Sequence, residues 1–389
     1  MMVTLSPTTR FVGVEDDNLD LFEGQYPLPK GVSYNSYLIS TAEKIAVIDA
    51  VDRRRCDDWL ANLVEALSGS TPDYLVIQHV EPDHSGSIDM FLKQYPTTRV
   101  VATAKAVEML GNFFENVDFA SRSIVVKDGD TLDLGGVTLE FVTAPMVHWP
   151  EVMLTLNTTE GILFSADAFG SFAMYSSTGA WDDEARRYYC NIVGKYGVSV
   201  QNLLKKLAKR EIKTIAPLHG PVLSENLGHY ISLYDRWSRY EPETEGVLVA
   251  YASIYGGTAQ AARRLASMLE EAGAGEVVPF DLCRHDVSYA VAESFRLSHL
   301  ALCSVTYDGD LFPAMHTYLH HIAAKNLQNR VVGLVENGSW TPLAARLMTA
   351  AVGQMRNMTI VTPVVTLHSR LHESDLEALS NLAHELAKA

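Results

Sequence analysis

The fold of this chain is decided by a stretch at residues 74–84, which reads YLVIQHVEPDH. Its opening YLVI run favours a buried β-strand. Four possible metal ligands follow within six residues, namely His79, Glu81, Asp83 and His84. In extended backbone, residues two apart share a face, so the first three side chains can point together while His84 turns to the neighbouring side. Pro82 stiffens the loop, and the stretch therefore predicts a metal site directly after a strand end.

Three further possible ligands lie later in the chain, where strands or turns are expected to end: His148, Asp167 and His219. The seven side chains comprise four imidazoles and three carboxylates, and they include no thiolate. Nitrogen and oxygen donors of this kind suit iron or manganese, whereas a set richer in histidine suits zinc. The donor set therefore favours iron or manganese over zinc.

A short polar stretch at residues 241–246, which reads EPETEG, separates two halves with different sequence patterns. Before it, short apolar β-type runs are interrupted by helical stretches, which predicts a sandwich of two mixed sheets with helices outside. After it, five apolar runs alternate with helical segments, which predicts an open, parallel, doubly wound α/β sheet. We place the two domains at residues 1–244 and 245–389.

Three loops of the second half, each at the end of a predicted strand, carry a possible cofactor site. The first loop, SIYGGT at residues 253–258, offers hydroxyls, glycines and a following helix N-terminus, which favour phosphate binding. It contains no Lys or Arg, so it is not a nucleoside triphosphate loop. Aromatic side chains on the other two loops suit stacking on an isoalloxazine ring. The candidate residues are Ser253, Ile254, Tyr255, Gly256, Gly257, Thr258, Ser304, Thr306, Tyr307, Asp308, Gly309, Asn337, Gly338, Ser339 and Trp340.

With these motifs the chain resembles the flavodiiron proteins, a branch of the metallo-β-lactamase superfamily. The superfamily pattern H-x-H-x-D-H stands here as H-x-E-x-D-H, and the glutamate at position 81 is the mark of the flavodiiron branch. The resemblance covers nearly the whole chain and implies a metallo-β-lactamase-like αββα sandwich followed by a flavodoxin-like doubly wound parallel sheet. It assigns His79, Glu81 and His148 to one iron, Asp83, His84 and His219 to the other, and Asp167 to both.

The resemblance also implies a function, in which FMN passes electrons to a non-haem di-iron site. That site would reduce dioxygen to water, nitric oxide to nitrous oxide, or both, and so scavenge these gases. The implied electron donor is rubredoxin, another small carrier, or a reduced deazaflavin coenzyme. The implied assembly is a head-to-tail homodimer or a dimer of dimers, in which the flavin of one subunit meets the iron site of another. The sequence leaves the preferred gas, the donor and the native metal open.

Three residues near the expected metal site need separate mention. Some family members carry a histidine in an F-H-G stretch, whereas this chain reads Phe22-Glu23-Gly24, so a role in proton delivery is not carried over. Tyr196 and Trp149 are considered as residues that contact the metal ligands from outside. No catalytic residue beyond the ligands is expected.

Composition narrows the choice of partners and location. The formal net charge is −16, which repels phosphates, so neither nucleic acid nor an anionic membrane is expected as a partner. The chain opens without a signal-peptide pattern, and it contains no run of ~18 apolar residues. The four cysteines are scattered, with no C-x-x-C pair, which favours reduced thiols and a cytoplasmic location.

Two alternatives from other functional classes stay open at this point. One is a metallo-hydrolase with a regulatory flavodoxin domain, against which Glu81 and the lack of an obvious substrate-clamping basic patch speak. The other is a non-catalytic electron carrier or redox sensor that uses only the FMN domain. The complete set of seven possible ligands argues against that reading.

Overall fold

The computed structural model describes residues 3–179 and 181–389, and the chain divides into two compact units. The first unit comprises Met1–Tyr189 and Val198–Tyr234, and the second comprises Cys190–Gly197 and Asp235–Ala389. The domain boundary between residues 244 and 245 stays a prediction. Within the described ranges, no helix has the length and apolar character needed to cross a membrane.

The first unit is built around short strands. In chain order they are β1 (Val3–Thr4), β2 (Thr9–Phe11), β3 (Val14–Asp16), β4 (Leu21–Phe22), β5 (Tyr26–Pro27), β6 (Val32–Tyr34), β7 (Tyr37–Ser40), β8 (Ile45–Ile48), β9 (Tyr74–Val76), β10 (Arg99–Thr103), β11 (Ser123–Val126), β12 (Thr131–Asp133), β13 (Thr138–Thr143), β14 (Met153–Asn157), β15 (Ile162–Phe164) and β16 (Thr214–Ala216). One sheet has the strand order β1-β2-β7-β8-β9-β10-β11, and a second has the order β12-β13-β14-β15-β16. Two small hairpins, β3 with β6 and β4 with β5, stand outside them.

Both large sheets are mixed in strand direction. Strand β7 is antiparallel to β8, whereas β8, β9 and β10 run parallel to one another. In the second sheet, strands β12 to β15 pair antiparallel, whereas β15 and β16 run parallel. Fully buried side chains from both sheets form one core, in which the rings of Tyr37 and Phe164 lie 5.2 Å apart. The predicted sandwich is therefore confirmed.

The helices up to residue 238 connect these strands. They are α1 (Cys56–Leu67), α2 (Pro82–Ser85), α3 (Ile88–Gln94), α4 (Ala104–Phe113), α5 (Phe119–Arg122), α6 (Trp181–Tyr188), α7 (Gly197–Leu207) and α8 (Leu227–Ser238). A π-helical turn at Tyr189–Val193 directly follows α6. Helix α4 begins where the hydroxyl of Thr103 accepts a hydrogen bond from the amide of Ala106, a typical N-cap.

The second unit alternates strands and helices. Its strands are β17 (Thr244–Tyr251), β18 (Glu276–Asp281), β19 (Leu297–Tyr307), β20 (Asp310–Leu311), β21 (Arg330–Asn337), β22 (Met358–Ile360) and β23 (Val365–Leu367). Its helices are α9 (Gly257–Glu271), α10 (Val287–Arg296), α11 (Pro313–Ala324), α12 (Ala344–Val352) and α13 (Leu376–Lys388).

The main strands of this unit are parallel and follow the order β18-β17-β19-β21-β22. Counted along the chain, this is the 2-1-3-4-5 order of flavodoxin-like sheets, and ligands in such sheets bind at the carboxyl ends of the strands. Apolar side chains of α9 and α13 pack on one face of the sheet and form its core. The predicted doubly wound sheet is confirmed.

One predicted strand of the second unit differs from the structure. The apolar run at residues 360–366 forms two short strands, β22 and β23, instead of one. Pro363 lies between them, and the Thr362–Pro363 peptide bond is cis. Proline has no amide hydrogen to donate to a sheet, so it interrupts the pairing with β21.

Candidate metal and flavin sites

The seven predicted ligands meet at one end of the sandwich in the first unit. His79 follows strand β9, Asp167 follows β15 and His219 follows β16, while His148 lies in the connection from β13 to β14. Parallel strands bring their carboxyl ends to one edge, and this places side chains that are distant in sequence next to each other. Their donor atoms form two groups, each within 4.8 Å.

Donor group 1 consists of His79, Glu81, His148 and one oxygen of Asp167. The Nε2 atom of His148 lies 3.0 Å from Glu81 Oε2 and 3.0 Å from Asp167 Oδ2. The Nε2 atom of His79 lies 3.2 Å from Glu81 Oε2 and 3.4 Å from Asp167 Oδ2. All four donor atoms therefore converge on one point.

Donor group 2 consists of Asp83, His84 and His219. The two imidazoles bring their Nε2 atoms within 3.0 Å of each other, and each lies 3.3 Å from Asp83 Oδ2. The second oxygen of Asp167, Oδ1, lies 3.1 Å from His84 Nε2 and 3.7 Å from His219 Nε2. Asp167 therefore turns one carboxylate oxygen to each group.

The backbone after β9 does not stay extended, which corrects one expectation. Pro82 occupies the first turn of helix α2, where its fixed φ angle favours a helix start. Asp83 and His84 consequently lie on a helical turn, and Asp83 joins His84 in group 2 instead of pointing with His79 and Glu81. The idea that Asp83 shares a face with the two preceding ligands was wrong, because it assumed a period of two throughout the loop.

The imidazoles and carboxylates of the two donor groups stabilise one another's charged forms. Burial opposes the charged form of His79, yet the carboxylates of Asp167 and Glu151 raise its pKa well above the ordinary value. Burial opposes charge on His148 as well, but the close carboxylates of Asp167 and Glu81 raise its pKa to about 9. In Asp167, burial is outweighed by the imidazoles of His79 and His84, which hold the pKa of this carboxyl well below its usual range.

The donor set fits a pair of metal ions. Within the described residues, Asp83 Oδ1 and Oδ2, Asp167 Oδ1 and His148 Nε2 are buried and make no hydrogen bond of acceptable geometry. Buried polar atoms without a partner point to a ligand, because an unpaired polar group costs free energy. Donors ~2.0–2.2 Å from a shared ion lie roughly 3.0–3.5 Å from one another, and the spacings within each group match this range.

Residues behind the ligands fix the orientation of two imidazoles. The Nδ1 atom of His79 lies 2.7 Å from Glu151 Oε1, and the Nδ1 atom of His219 lies 2.8 Å from the carbonyl oxygen of Ser33. Sequence reasoning missed Glu151, although it stands three residues after His148 in the HWPE stretch. Only the three-dimensional path of the chain brings its carboxylate to His79.

The two residues considered as outer contacts have different positions. The indole of Trp149 packs edge-on against His79, with ring centroids 5.2 Å apart. Tyr196 lies in the segment Cys190–Gly197, which belongs to the second compact unit. In the first unit, the buried ring of Tyr188 lies 5.5 Å from His219, and its hydroxyl makes no hydrogen bond of acceptable geometry. Tyr188 therefore contacts the ligand cluster, and a role for Tyr196 stays a prediction.

Glu23 lies at the tip of the β4–β5 hairpin. Glu23 and Gly24 form its two-residue turn, with φ angles of 50° and 68°, and the amide of Gln25 donates to the carbonyl of Phe22. The side chain of Glu23 is exposed, but partial desolvation of its carboxyl and the nearby carboxylate of Glu81 raise its pKa. Glu23 lines a cavity of about 370 Å³ whose wall also includes Glu81 and Asp83.

The loops predicted to bind flavin surround a cavity of about 570 Å³ in the second unit. The predicted residues that line it are Ser253, Ile254, Tyr255, Gly257, Thr258, Thr306, Tyr307, Asp308, Gly309, Asn337, Gly338, Ser339 and Trp340. Of the other two, Ser304 is fully buried in β19, and Gly256 precedes α9 with φ of 92°. Sequence reasoning missed Val305, Thr341, Leu343 and Ser369, which also line the cavity.

Hydrogen bonds hold these loops together. The side chain of Asn337 donates to Thr258 Oγ1 and to the carbonyl of Ser369, and it accepts from the amide of Ser369. The hydroxyl of Thr306 accepts hydrogen bonds from the backbone amides of Leu343 and Ala344, where α12 begins. Asn337 and Thr306 therefore shape the cavity by joining loops that are distant in sequence.

The cavity fits FMN in two respects. A Cβ atom on Gly257 would lie 2.3 Å from the carbonyl oxygen of Ser369, so only glycine allows this close approach at the start of α9. The helix N-terminus there favours a phosphate. Tyr255 and Trp340 are 99% and 88% exposed, so their rings are available for stacking on a planar ligand.

A β-lactamase-type sandwich with two carboxylate-rich donor groups, together with a flavodoxin-like unit, defines a metalloflavoprotein. A family model described as ODP family beta lactamase matches residues 32–220. The anaerobic nitric oxide reductase flavorubredoxin of Aliivibrio fischeri is 30% identical over 354 residues, which cover 87% of this chain and 70% of that protein. The nitric oxide reductase of Moorella thermoacetica is 28% identical over 99% of this chain and 98% of its own length.

Solved structures agree with these relatives. The flavodiiron protein from Giardia intestinalis superposes with a TM-score of 0.92 and 25% identity, covering 100% of this chain and 96% of that one. Rubredoxin oxygen:oxidoreductase from Desulfovibrio gigas has the same fold, with a TM-score of 0.92 at 24% identity and coverage of 100% and 98%. This chain belongs to the flavodiiron protein family. The predicted family, fold class and oxidoreductase class are confirmed.

Proposed function

We propose that this chain uses FMN and a non-haem di-iron centre to reduce dioxygen to water, nitric oxide to nitrous oxide, or both. The observation that carries the proposal is the carboxylate of Asp167, which lies between two complete donor groups with one oxygen turned to each. Such a shared carboxylate sets the separation of two metal ions and lets them act on one small molecule. The seven ligands would hold the iron pair, which would bind and reduce the gas, and the flavin cavity would hold FMN, which would supply electrons.

The protein side chains contribute charge and orientation. Glu81 and Asp83 each bring one carboxylate to a single donor group, and Asp167 brings one to both. Four imidazoles complete the set through their Nε2 atoms. The set thus supplies anionic charge that would compensate two divalent cations, and its four imidazoles and Asp167 are buried, which limits their movement.

Aromatic side chains enclose donor group 2. The rings of Phe22 and Tyr188 lie 5.2 Å and 5.5 Å from the ring of His219. Burial and the carboxylates of the cluster raise the pKa of Tyr188 well above its ordinary value, so its hydroxyl keeps the proton. That hydroxyl is available to donate a hydrogen bond to a small molecule bound beside His219, and the surrounding rings keep water away.

We also propose a donor and an assembly. The relatives named flavorubredoxin and rubredoxin oxygen:oxidoreductase favour a small rubredoxin-type carrier as electron donor, with a reduced deazaflavin coenzyme as the other candidate. Exposed Ile254, Tyr255, Tyr307 and Trp340 form an apolar surface around the flavin cavity. A second copy of the chain would cover this surface in a head-to-tail homodimer, with the flavin of one copy at the metal site of the other. A dimer of dimers and a cytoplasmic location stay predictions.

The test begins with anaerobically purified protein, whose metal and flavin content are measured by elemental analysis and absorbance. We expect about two irons and one FMN per chain, followed by consumption of dioxygen or nitric oxide when a reduced donor is supplied. Replacing His148 with alanine should abolish gas consumption while leaving FMN bound. Zinc without flavin, with no gas reduction after reconstitution with iron and FMN, would instead support a hydrolase.

A further inference from the structure

The carboxylate of Glu151 is buried behind His79, on the side of the imidazole that faces away from donor group 1. Its Oε1 atom lies 2.7 Å from His79 Nδ1 and accepts a second hydrogen bond from the amide of Val80 at 3.0 Å. The side chains of Glu151 and His79 are both 0% exposed. The second oxygen, Oε2, makes no hydrogen bond of acceptable geometry with any described residue.

A buried carboxylate is costly unless a positive charge compensates it. The amide of Val80 is neutral, so within the described residues the imidazole of His79 is the only ionisable group that is hydrogen-bonded to the Glu151 carboxylate. A cation held at the Nε2 side of that imidazole would polarise the ring and so interact favourably with Glu151. The position of Glu151 is therefore best explained by a metal ion in donor group 1.

Among the described residues, no carboxylate hydrogen-bonds to the outer nitrogen of either imidazole in donor group 2. The buried carboxylate of Asp49 lies near His84 but accepts its hydrogen bonds from Gln78 and from the backbone. The Nδ1 atom of His219 lies 2.8 Å from the neutral carbonyl oxygen of Ser33. The Nδ1 atom of His84 is buried and makes no hydrogen bond of acceptable geometry with the described part of the chain. Each group has one carboxylate of its own and one oxygen of Asp167, so the groups differ in that a carboxylate, Glu151, is hydrogen-bonded directly to the back of a ligand imidazole only in group 1.

We infer that Glu151 is a positioning residue that makes the two metal sites unequal, so that donor group 1 binds a divalent cation first and more tightly than donor group 2. The inference rests on the proposed function only in taking both groups as metal sites. Glu151 acts in two ways: it fixes the His79 tautomer with the proton on Nδ1, which leaves Nε2 free to coordinate, and its charge strengthens Nε2 as a donor.

The experiment measures each donor group separately with cobalt(II), whose visible absorption reports the ligands of the ion. The full-length chain is stripped of metal and titrated with Co²⁺ in the H219A variant, which retains group 1, and in the H148A variant, which retains group 2. We expect a lower dissociation constant in H219A. Adding E151Q should raise the Co²⁺ dissociation constant of the H219A variant about 10–100-fold. The same substitution should change the Co²⁺ dissociation constant of the H148A variant by less than about threefold.

Two controls separate this effect from a general loss of structure. Glutamine at position 151 keeps an oxygen that can accept the bonds from His79 and Val80, so circular dichroism of the metal-free variant should match the wild type. E160Q is the matched variant, because Glu160 is also a hydrogen-bonded carboxylate of the first unit but accepts from Ser6, Thr8 and Thr9. E160Q should leave both cobalt dissociation constants unchanged.

The outcomes distinguish the inference from the proposed function. Equal affinities in the two backgrounds, or an equal effect of E151Q on both, would show that Glu151 has no selective role, even if the iron enzyme reduces gas. Selective weakening of group 1 in a protein that takes up no FMN and reduces no gas would support the inference and overturn the proposed function. Failure of both backgrounds to bind Co²⁺ would overturn both.

Discussion

The Nε2 atom of His148 lies 3.0 Å from the Oδ2 atom of Asp167, and both side chains are buried. In the protein without metal, this pair is held together by opposite charges. The carboxylates of Asp167 and Glu81 overcome the effect of burial and raise the pKa of His148 to about 9. A metal ion bound between the same atoms would take the place of the proton.

The first prediction follows from that replacement and concerns the pH dependence of stability. Because the pKa of His148 is raised on folding, its contribution to the free energy of unfolding is complete below the unfolded value of ~6.5 and disappears as pH rises through about 9. We expect metal-free protein to lose up to roughly 3 kcal/mol between these limits, measured by urea unfolding.

The metal-loaded protein should not show this loss, because a bound ion stabilises the deprotonated imidazole. The H148Q variant provides the control, since glutamine does not titrate. If metal-free H148Q lost the same stability as the wild type over this pH range, His148 would not be the responsible group.

The second prediction concerns the shared carboxylate. Replacing Asp167 with asparagine keeps the shape of the side chain but removes the negative charge that lies between the two donor groups. We expect metal affinity to fall at least about 10–100-fold at both groups, and gas reduction to fall with it. Elemental analysis after dialysis measures the metal content.

D182N is the matched control for this change. Asp182 also faces an imidazole, that of His229, but both side chains are about 40% exposed. An exposed pair of this kind contributes little, so D182N should retain two metals per chain. Retention of two irons by D167N would contradict the bridging role.

The third prediction concerns the flavin. The ring of Trp340 is 88% exposed at the cavity, which suits it for stacking on an isoalloxazine. Replacing it with alanine should raise the FMN dissociation constant about 2–10-fold, which corresponds to the energy of one aromatic contact. Quenching of FMN fluorescence measures this constant. W340F retains an aromatic ring and should bind close to the wild-type level; equal weakening in both variants would argue against stacking.

The sequence predicted the two folds and the seven candidate ligands that the structure brings together, for a physical reason. Strand periodicity and the alternation of strands with helices are local patterns, and the ligands directly follow strands whose ends must meet. The division of the ligands was harder to derive from the residues, because it depends on Pro82 starting a helix before Asp83. Backbone periodicity changes within that one loop.

Long-range contacts explain what sequence reasoning missed. Glu151 and His79 are 72 positions apart, and no local pattern links a glutamate after His148 to a histidine after β9. Tyr188 precedes a π-helical turn, and the packing of that segment brings its ring to His219, which no local pattern indicates. Pairings of this kind arise from the packing of distant segments and not from spacing along the chain.

The fourth prediction concerns Gly257 in the loop expected to hold the phosphate of FMN. A Cβ atom at this position would lie 2.3 Å from the carbonyl oxygen of Ser369. Neither the Cβ atom nor this oxygen can move away without a shift of its own backbone. Replacing Gly257 with alanine should therefore force the two loops apart and lower the free energy of unfolding by about 1–3 kcal/mol. FMN binding should weaken as well, because Asn337 joins these same loops through Ser369.

Gly111 offers a matched control for that substitution. It lies on the exposed face of helix α4, and a Cβ atom there would meet nothing within 4 Å. Replacing it with alanine should raise the free energy of unfolding by about 0.5–1 kcal/mol, since alanine favours the helix over glycine. Urea unfolding and FMN titration of both variants test the comparison. If G257A bound FMN as tightly as G111A and unfolded at the same urea concentration, the close approach to Ser369 would not be needed for the flavin site.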